Sequence, residues 1–452
     1  MTTSTALTIE GCYVATVDGA GHEYASGHVV TDQGRILAAG AGPAPAEYAT
    51  ATRVDGAGLL VTPGLVNSHH HLYQWITRGY ATDGTLFDWL KTLYPVWARL
   101  TPDLLADSAA ANLAWLALTG CSTSSDHHYV FPAGQGDLLE AEILAARRIG
   151  VRFHPTRGSM NLGESAGGLP PDSVVESHDA ILAASEAAVD RWHDPSFGAM
   201  TRVAIAPCSP FSVTAELMRD CAELARAKGV RLHTHLAETQ DEEEFCVARF
   251  GRTPAQYAED LGWLGPDVWL AHCVHLSGEA VARLAATGTG VAHCPTSNGR
   301  LGAGIAPVRK LLDANVVTGL GVDGSASNES GRMVDELHQA LLAARCAGGP
   351  LALSARECLR MATMGGARCL GRERELGSIE PGKLADLAVW RVDALPGAGI
   401  EDPVCTLVFG APALEHLLVG GRQVVAGGEL RTADTADLAA AAARASRRIA
   451  QH

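Results

Sequence analysis

Residues 63–71 read PGLVNSHHH: a Pro-Gly break, a short apolar run, then three histidines. That is the pattern of a buried strand ending in polar side chains. On an extended chain residues two apart share a side, so His69 and His71 can grip one ion while His70 points away. The pattern repeats outward. Apolar runs fall at about 61–69, 121–126, 150–155, 202–206, 230–235, 268–272, 289–293 and 316–323. Helix-like stretches separate them, among them 101–119, 137–148, 176–191, 214–228, 277–287 and 334–347. Eight strands alternating with helices predict a closed parallel (β/α)8 barrel. The rival is a doubly wound open sheet, but no Gly-x-Gly-x-x-Gly opens a helix after the first strand. Nearly every run ends in polar residues: His69-His70-His71, Asp126-His127-His128, His233-Thr234-His235 with Glu238 beyond, His272, His293 and Asp323. In such a barrel these ends converge on one face, where active sites form. His233 and His235 repeat the spacing of the first pair. Imidazoles with a carboxylate suit zinc and neighbouring transition metals.

The flanks read differently. Residues 1–62 and 377–432 hold short β-branched segments split by glycines, neither long enough for a core of its own. They are expected to pair into one small β-domain bracketing a catalytic barrel over 63–376, with a terminal helix over 433–452. The 452 residues are 47% hydrophobic and 19% charged, which suits a compact enzyme. A net charge of −15 argues against nucleic acid or an anionic membrane surface as partner. Eleven cysteines without a Cys-x-x-Cys pair read as buried thiols of a reducing compartment. Cys121, Cys208, Cys273 and Cys294, near strand ends, read as small hydrophobes. No basic-then-apolar leader and no membrane-length run is evident, so the cytoplasm is the expected location, and a homo-oligomer the expected assembly. A helical His-Glu-x-x-His and a Gly-x-Ser-x-Gly elbow are both absent, which leaves zinc-peptidase and serine-hydrolase readings without an anchor.

PGLVNSHHH, LHTHLAE (232–238), LAHCVHL (270–276), VAHCPTSN (291–298) and GLGVDG (319–324) together resemble the amidohydrolase superfamily. GSIEPGKLADLAV (377–389) resembles its returning β-domain. The resemblance implies a (β/α)8 barrel flanked by a small β-sandwich built from both chain ends. It implies His69, His71, His235 and Asp323 as ligands of one divalent metal ion per chain, Zn2+ with Fe2+ as the alternative. Glu238 matches the proton-shuttling carboxylate of the deaminase branch, and His272 the histidine of the sixth strand. Binuclear members carry a lysine at the end of the fourth strand. Here that end reads Ala206-Pro207-Cys208-Ser209, which implies a mononuclear site.

HHHLYQWITRGY (69–80), LFDWLKTLYPVWARLTP (86–102), SSDHHYVFP (124–132) and RGSMNLGESAGGLPPDSVV (157–175) resemble the bacterial 8-oxoguanine deaminases within that family. The implied reaction takes 8-oxoguanine, a small heterocycle, to urate and ammonia. Alternatives are a triazine chlorohydrolase or aminohydrolase and another purine or pterin deaminase. Guanine deaminases carry an Arg-Phe pair where this chain has Cys208-Ser209. A non-catalytic barrel is disfavoured, because all four ligands and both acid/base residues are present. Gln74, Tyr129, Arg157 and Cys208 are the expected substrate contacts. The Gln74 amide can both donate to and accept from a guanine-like edge. Trp75, Trp89 and Trp97 are candidates for an apolar wall, although tryptophans at such spacing more often pack in the core.

Overall fold

Five strands precede the barrel: β1 (Leu7–Ala15), β2 (Glu23–Asp32), β3 (Arg35–Ala41), β4 (Thr52–Asp55) and β5 (Leu59–Pro63). The computed structural model describes residues 6–451; residues 1–5 and 452, at the ends of the first and last expected segments, lie outside it. Eight parallel strands then close into a barrel. They are β6 (Leu65–Asn67), β7 (Cys121–His128), β8 (Arg152–Ser159), β9 (Ala204–Pro207), β10 (Leu232–Leu236), β11 (Val268–His272), β12 (Gly290–His293) and β13 (Thr318–Leu320). Every residue of these strands is buried, as expected when helices cover the outside and side chains fill the inside. Four more strands, β14 (Leu387–Arg391), β15 (Ala413–Val419), β16 (Arg422–Ala426) and β17 (Glu429–Leu430), return to the first five.

The two ends build one nine-stranded sheet in the order β17-β16-β15-β14-β5-β1-β2-β3, with β4 beside β1. β14 runs antiparallel to β5, pairing Leu387 with Pro63 and Arg391 with Leu59. The far hairpin comes back against the same segment: Ile36 N donates to Lys383 O and Ala385 N to Gly34 O, at 2.9 and 2.8 Å. Ile9, Val29, Ile36, Val61, Leu387 and Leu418 share the core enclosed between these layers.

The expected first run, 61–69, divides. Its front belongs to β5 in the sheet and its rear to β6 in the barrel, with the crossing at Gly64. A Cβ there would lie 2.4 Å from Ser122 Oγ, so only glycine lets the two units approach so closely. Arg152 of β8 fastens them further, its Nε and Nη2 donating to Asp386 at 2.7 and 2.9 Å, both side chains buried.

The helices follow their sequence signals. α1 (Leu86–Trp97) lies between β6 and β7, followed by α2 (Pro102–Leu118), whose Thr101 accepts from Leu104 N with proline at the first helical position. Helix Leu138–Ile149 starts on the Asp137 cap and stops at Gly150, whose φ of 87° is left-handed. The chain ends in the amphipathic helix Thr435–Ala450. Among the described residues no helix is long and apolar enough to cross a membrane.

Candidate active site

The strand ends carry an ordered set of imidazoles whose proton positions follow from what lies behind each ring. His71 Nδ1 donates to His127 O at 2.7 Å and His235 Nδ1 to Cys208 O at 2.7 Å. A neutral imidazole carries one N–H, so in both rings Nε2 is left with its lone pair. His69 reaches the same state through a relay. His233 Nδ1 donates to Trp269 O at 2.8 Å, which leaves His233 Nε2 to accept from His69 Nδ1, also at 2.8 Å. His69 Nε2 is then buried without a hydrogen-bond partner. Burial holds His69 and His235 well below the ordinary imidazole range, so both rings are neutral, the form that binds metals.

These three lone pairs converge with one carboxylate oxygen. His71 Nε2 lies 3.2 Å from His235 Nε2, and Asp323 Oδ1 lies 3.3 Å from His69 Nε2 and 3.2 Å from His71 Nε2. Four ligands about 2.0–2.1 Å from a zinc-sized ion in tetrahedral array stand roughly 3.3 Å apart. The donor set therefore fits one such ion and could hold it. Asp323 is fixed by Gly324 N on Oδ1 and by the hydroxyls of Ser297 and Ser327 on Oδ2. His127 also stands in this cluster, its Nε2 donating to Ala206 O at 2.9 Å, and its ring lies 4.6 Å from that of His235.

Glu238 and His272 stand beside the four donors. His272 Nδ1 donates to Asn298 Oδ1 at 3.0 Å, which turns its Nε2 lone pair toward Glu238 Oε2, 3.7 Å away. Burial, with the Asp323 charge adding to it, pushes the Glu238 carboxyl well above its ordinary range. The turn bearing Glu238 is pinned by Glu242, which accepts from Ala237 N and Glu238 N at 2.8 and 2.9 Å. Ala237, His272, Cys273 and Asp323 all have positive φ, between 51° and 70°. Non-glycine residues in that region cost energy and cluster where a strand end must aim a side chain.

A cavity of about 30 Å3 opens on these groups. Gln74, Tyr129 and Cys208 line it, as do Trp89, Leu90 and Tyr94 of α1. Gln74 is already engaged, its Oε1 accepting from Ala326 N at 3.3 Å. Burial pushes the Cys208 thiol up to about 12, so it stays protonated and packs as an apolar group. Arg157 does not join them. Its guanidinium pairs with both oxygens of Glu176 at 2.7 and 2.9 Å, lies over the Phe131 ring, and borders a separate cavity. Of the three candidate tryptophans only Trp89 lines the cavity. Trp75 lies on an outer groove under Arg78, and Trp97 packs behind Tyr73 and Tyr94. The pair His233 and His235 also splits, since His233 backs His69 and only His235 presents a free nitrogen to the cluster. Sequence reasoning missed Glu242, Ser297, Asn298 and Ser327. Ser297 and Asn298 lie inside VAHCPTSN, but nothing in that segment says which polar atom faces which.

Residues 60–424 match the Amidohydrolase family, and the chain belongs to it. Among its relatives is an 8-oxoguanine deaminase of Pseudomonas aeruginosa, 47% identical over 420 residues that cover 92% of this chain and 93% of that protein. An isoxanthopterin deaminase from an unknown prokaryotic organism is 37% identical, covering 90% of this chain and 88% of its own. Among solved structures, the zinc complex of an atrazine chlorohydrolase from Arthrobacter aurescens superposes with a TM-score of 0.92 at 34% identity. The match covers 97% of this chain and all (100%) of that one.

Proposed function

We propose that this chain is a zinc-dependent aminohydrolase that converts 8-oxoguanine to urate and ammonia. The observation that carries the chemistry is the convergence of three imidazole lone pairs and one carboxylate oxygen beside the buried Glu238 carboxyl and His272. His69, His71, His235 and Asp323 would hold the ion, whose contribution is to bring the pKa of water toward neutrality. The chain's own groups do the rest. Asp323 and the Nε2 lone pair of His272 can take and orient the proton released by that water. Glu238 delivers its proton to the ring nitrogen beside the amino-bearing carbon, which makes that carbon more electrophilic. It then takes the proton of the hydroxyl left on that carbon and passes it to the departing amine as the carbonyl forms, and the proton held by Asp323 or His272 restores it, the work of a general acid/base. Closure of the cavity by apolar side chains keeps other water away from these transfers.

The substrate reading is supported by the likeness to the Pseudomonas aeruginosa enzyme and by Cys208-Ser209, which offers no cationic group to a purine carbonyl. Ammonia release by the zinc-loaded protein should be measured on 8-oxoguanine, guanine, isoxanthopterin and an aminotriazine. The highest kcat/KM is expected on 8-oxoguanine, with guanine much poorer. Faster turnover of the pterin or the triazine would favour the second reading, which the other two similarities support, and would end the present one.

A further inference from the structure

The cavity wall carries a buried polar side chain that the reaction does not use. Tyr94 lines it from α1, is 1% exposed, and its hydroxyl has no hydrogen-bond partner. Leaving a buried hydroxyl unpaired costs about 1–3 kcal/mol, so a partner arriving with the ligand is the economical explanation. On the same wall Gln74 Oε1 is committed to Ala326 N and the Ser327 hydroxyl to Asp323. The ring of Tyr94 packs edge to face on Trp97 of the same helix, at 5.9 Å, so its place on α1 is set by that packing. Burial keeps the phenol protonated, and a neutral hydroxyl can both donate and accept.

The reacting end of the cavity belongs to Glu238, His272 and Asp323, and carbon 2 of the purine must sit there. The five-membered ring lies at the opposite end of a purine, and we seat that end against the α1 residues of the cavity wall. That ring is where 8-oxoguanine differs from guanine, with N7–H in place of a lone pair and C8=O in place of C8–H. We propose that Tyr94 sets the substrate specificity, its hydroxyl hydrogen-bonding the N7–H and C8=O edge of the bound oxidised purine. This rests on the reading of the site as an 8-oxoguanine deaminase, and it assigns the discrimination against guanine to one oxygen atom.

Tyr94→Phe keeps the ring and removes that oxygen. In the zinc-loaded protein kcat/KM for 8-oxoguanine should fall about tenfold or more, the scale of one lost hydrogen bond that leaves its partner buried. Guanine turnover should stay within about twofold. Urate carries the same edge, and its affinity, read by calorimetry, should fall in parallel with the 8-oxoguanine value. An equal loss on both purines, or an unchanged ratio with unchanged urate affinity, overturns the assignment of Tyr94 while the deaminase reading stands. A wild-type protein inactive on 8-oxoguanine overturns both.

Discussion

What sets His69 apart from an ordinary buried histidine is the ring behind it. His233, itself fixed by a backbone carbonyl, accepts the Nδ1 proton of His69 and so dictates which nitrogen faces the cluster. Groups that orient a metal ligand in this way typically contribute 10–100-fold in affinity. His233→Ala should therefore bind zinc about that much more weakly, by competition with a chromophoric chelator, while folding normally. Unchanged affinity would mean that His69 needs no such support. His69→Ala or Asp323→Ala should lose the ion and the activity together. Glu238→Gln should retain about one zinc per chain yet turn over slower by about two orders of magnitude or more, the scale of general acid/base catalysis. Near-normal turnover there would place the proton shuttle elsewhere. The sequence showed this layer in part. The two-residue spacing in HHH and HTH marks side chains that share a face, but it gives His233 and His235 equal standing. Their roles diverge only because β10 lies beside β11, where the Trp269 carbonyl meets one ring of the pair.

At the scale of elements, α1 is the cover of the site. The 30 Å3 beneath it is room for about one or two waters, whereas pockets that receive a heterocycle are typically some ten times larger. A purine needs more room than this, and α1 is the wall expected to give it. α1 is tied to the loop after β13 through Trp89 Nε1, which donates to Ala326 O at 3.1 Å, and it is preceded by Gly79 and Gly84. Limited proteolysis of the ligand-free protein should cut within residues 79–86, and saturating urate should slow that cut several-fold. Equal cleavage with and without urate would show that α1 stays closed and that entry lies elsewhere. The eight barrel strands and their helices were legible because alternation of apolar runs and capping residues reports local structure directly. The position of α1 was not. Leu86, Trp89, Leu90, Leu93, Tyr94 and Trp97 are all buried, so periodicity marks them alike and cannot say which touch the cavity and which touch other core residues. The same limit misplaced Arg157: a cation at a strand end reads as a substrate contact until Glu176, nineteen residues on, is seen to occupy it.

At the scale of the molecule, barrel and sheet act as one body through Arg152 and Asp386. The carboxylate also accepts from Gly420 N at 2.7 Å, so three chain segments meet on it. Asp386→Ala leaves a guanidinium buried without its counter-charge, and removing one partner of such a pair costs about 3–5 kcal/mol. The midpoint of urea unfolding should drop accordingly, and removing the arginine as well, in Arg152→Met with Asp386→Leu, should restore much of it. A single mutant as stable as the parent would show that the two units need no such fastening. The pairing of the chain ends was inferred because neither end could bury a core alone, and it has a consequence for biosynthesis. β5 has its neighbour β1 at once, but its other edge waits for β14, and Leu387, the partner of Pro63, lies 324 positions later (387 − 63). At about 5–20 residues per second a ribosome needs roughly 15–65 s to supply it. Throughout that interval the nascent chain exposes an apolar strand with open hydrogen-bonding groups, and a holding chaperone that shields such edges would raise the yield of the enzyme without touching its final stability.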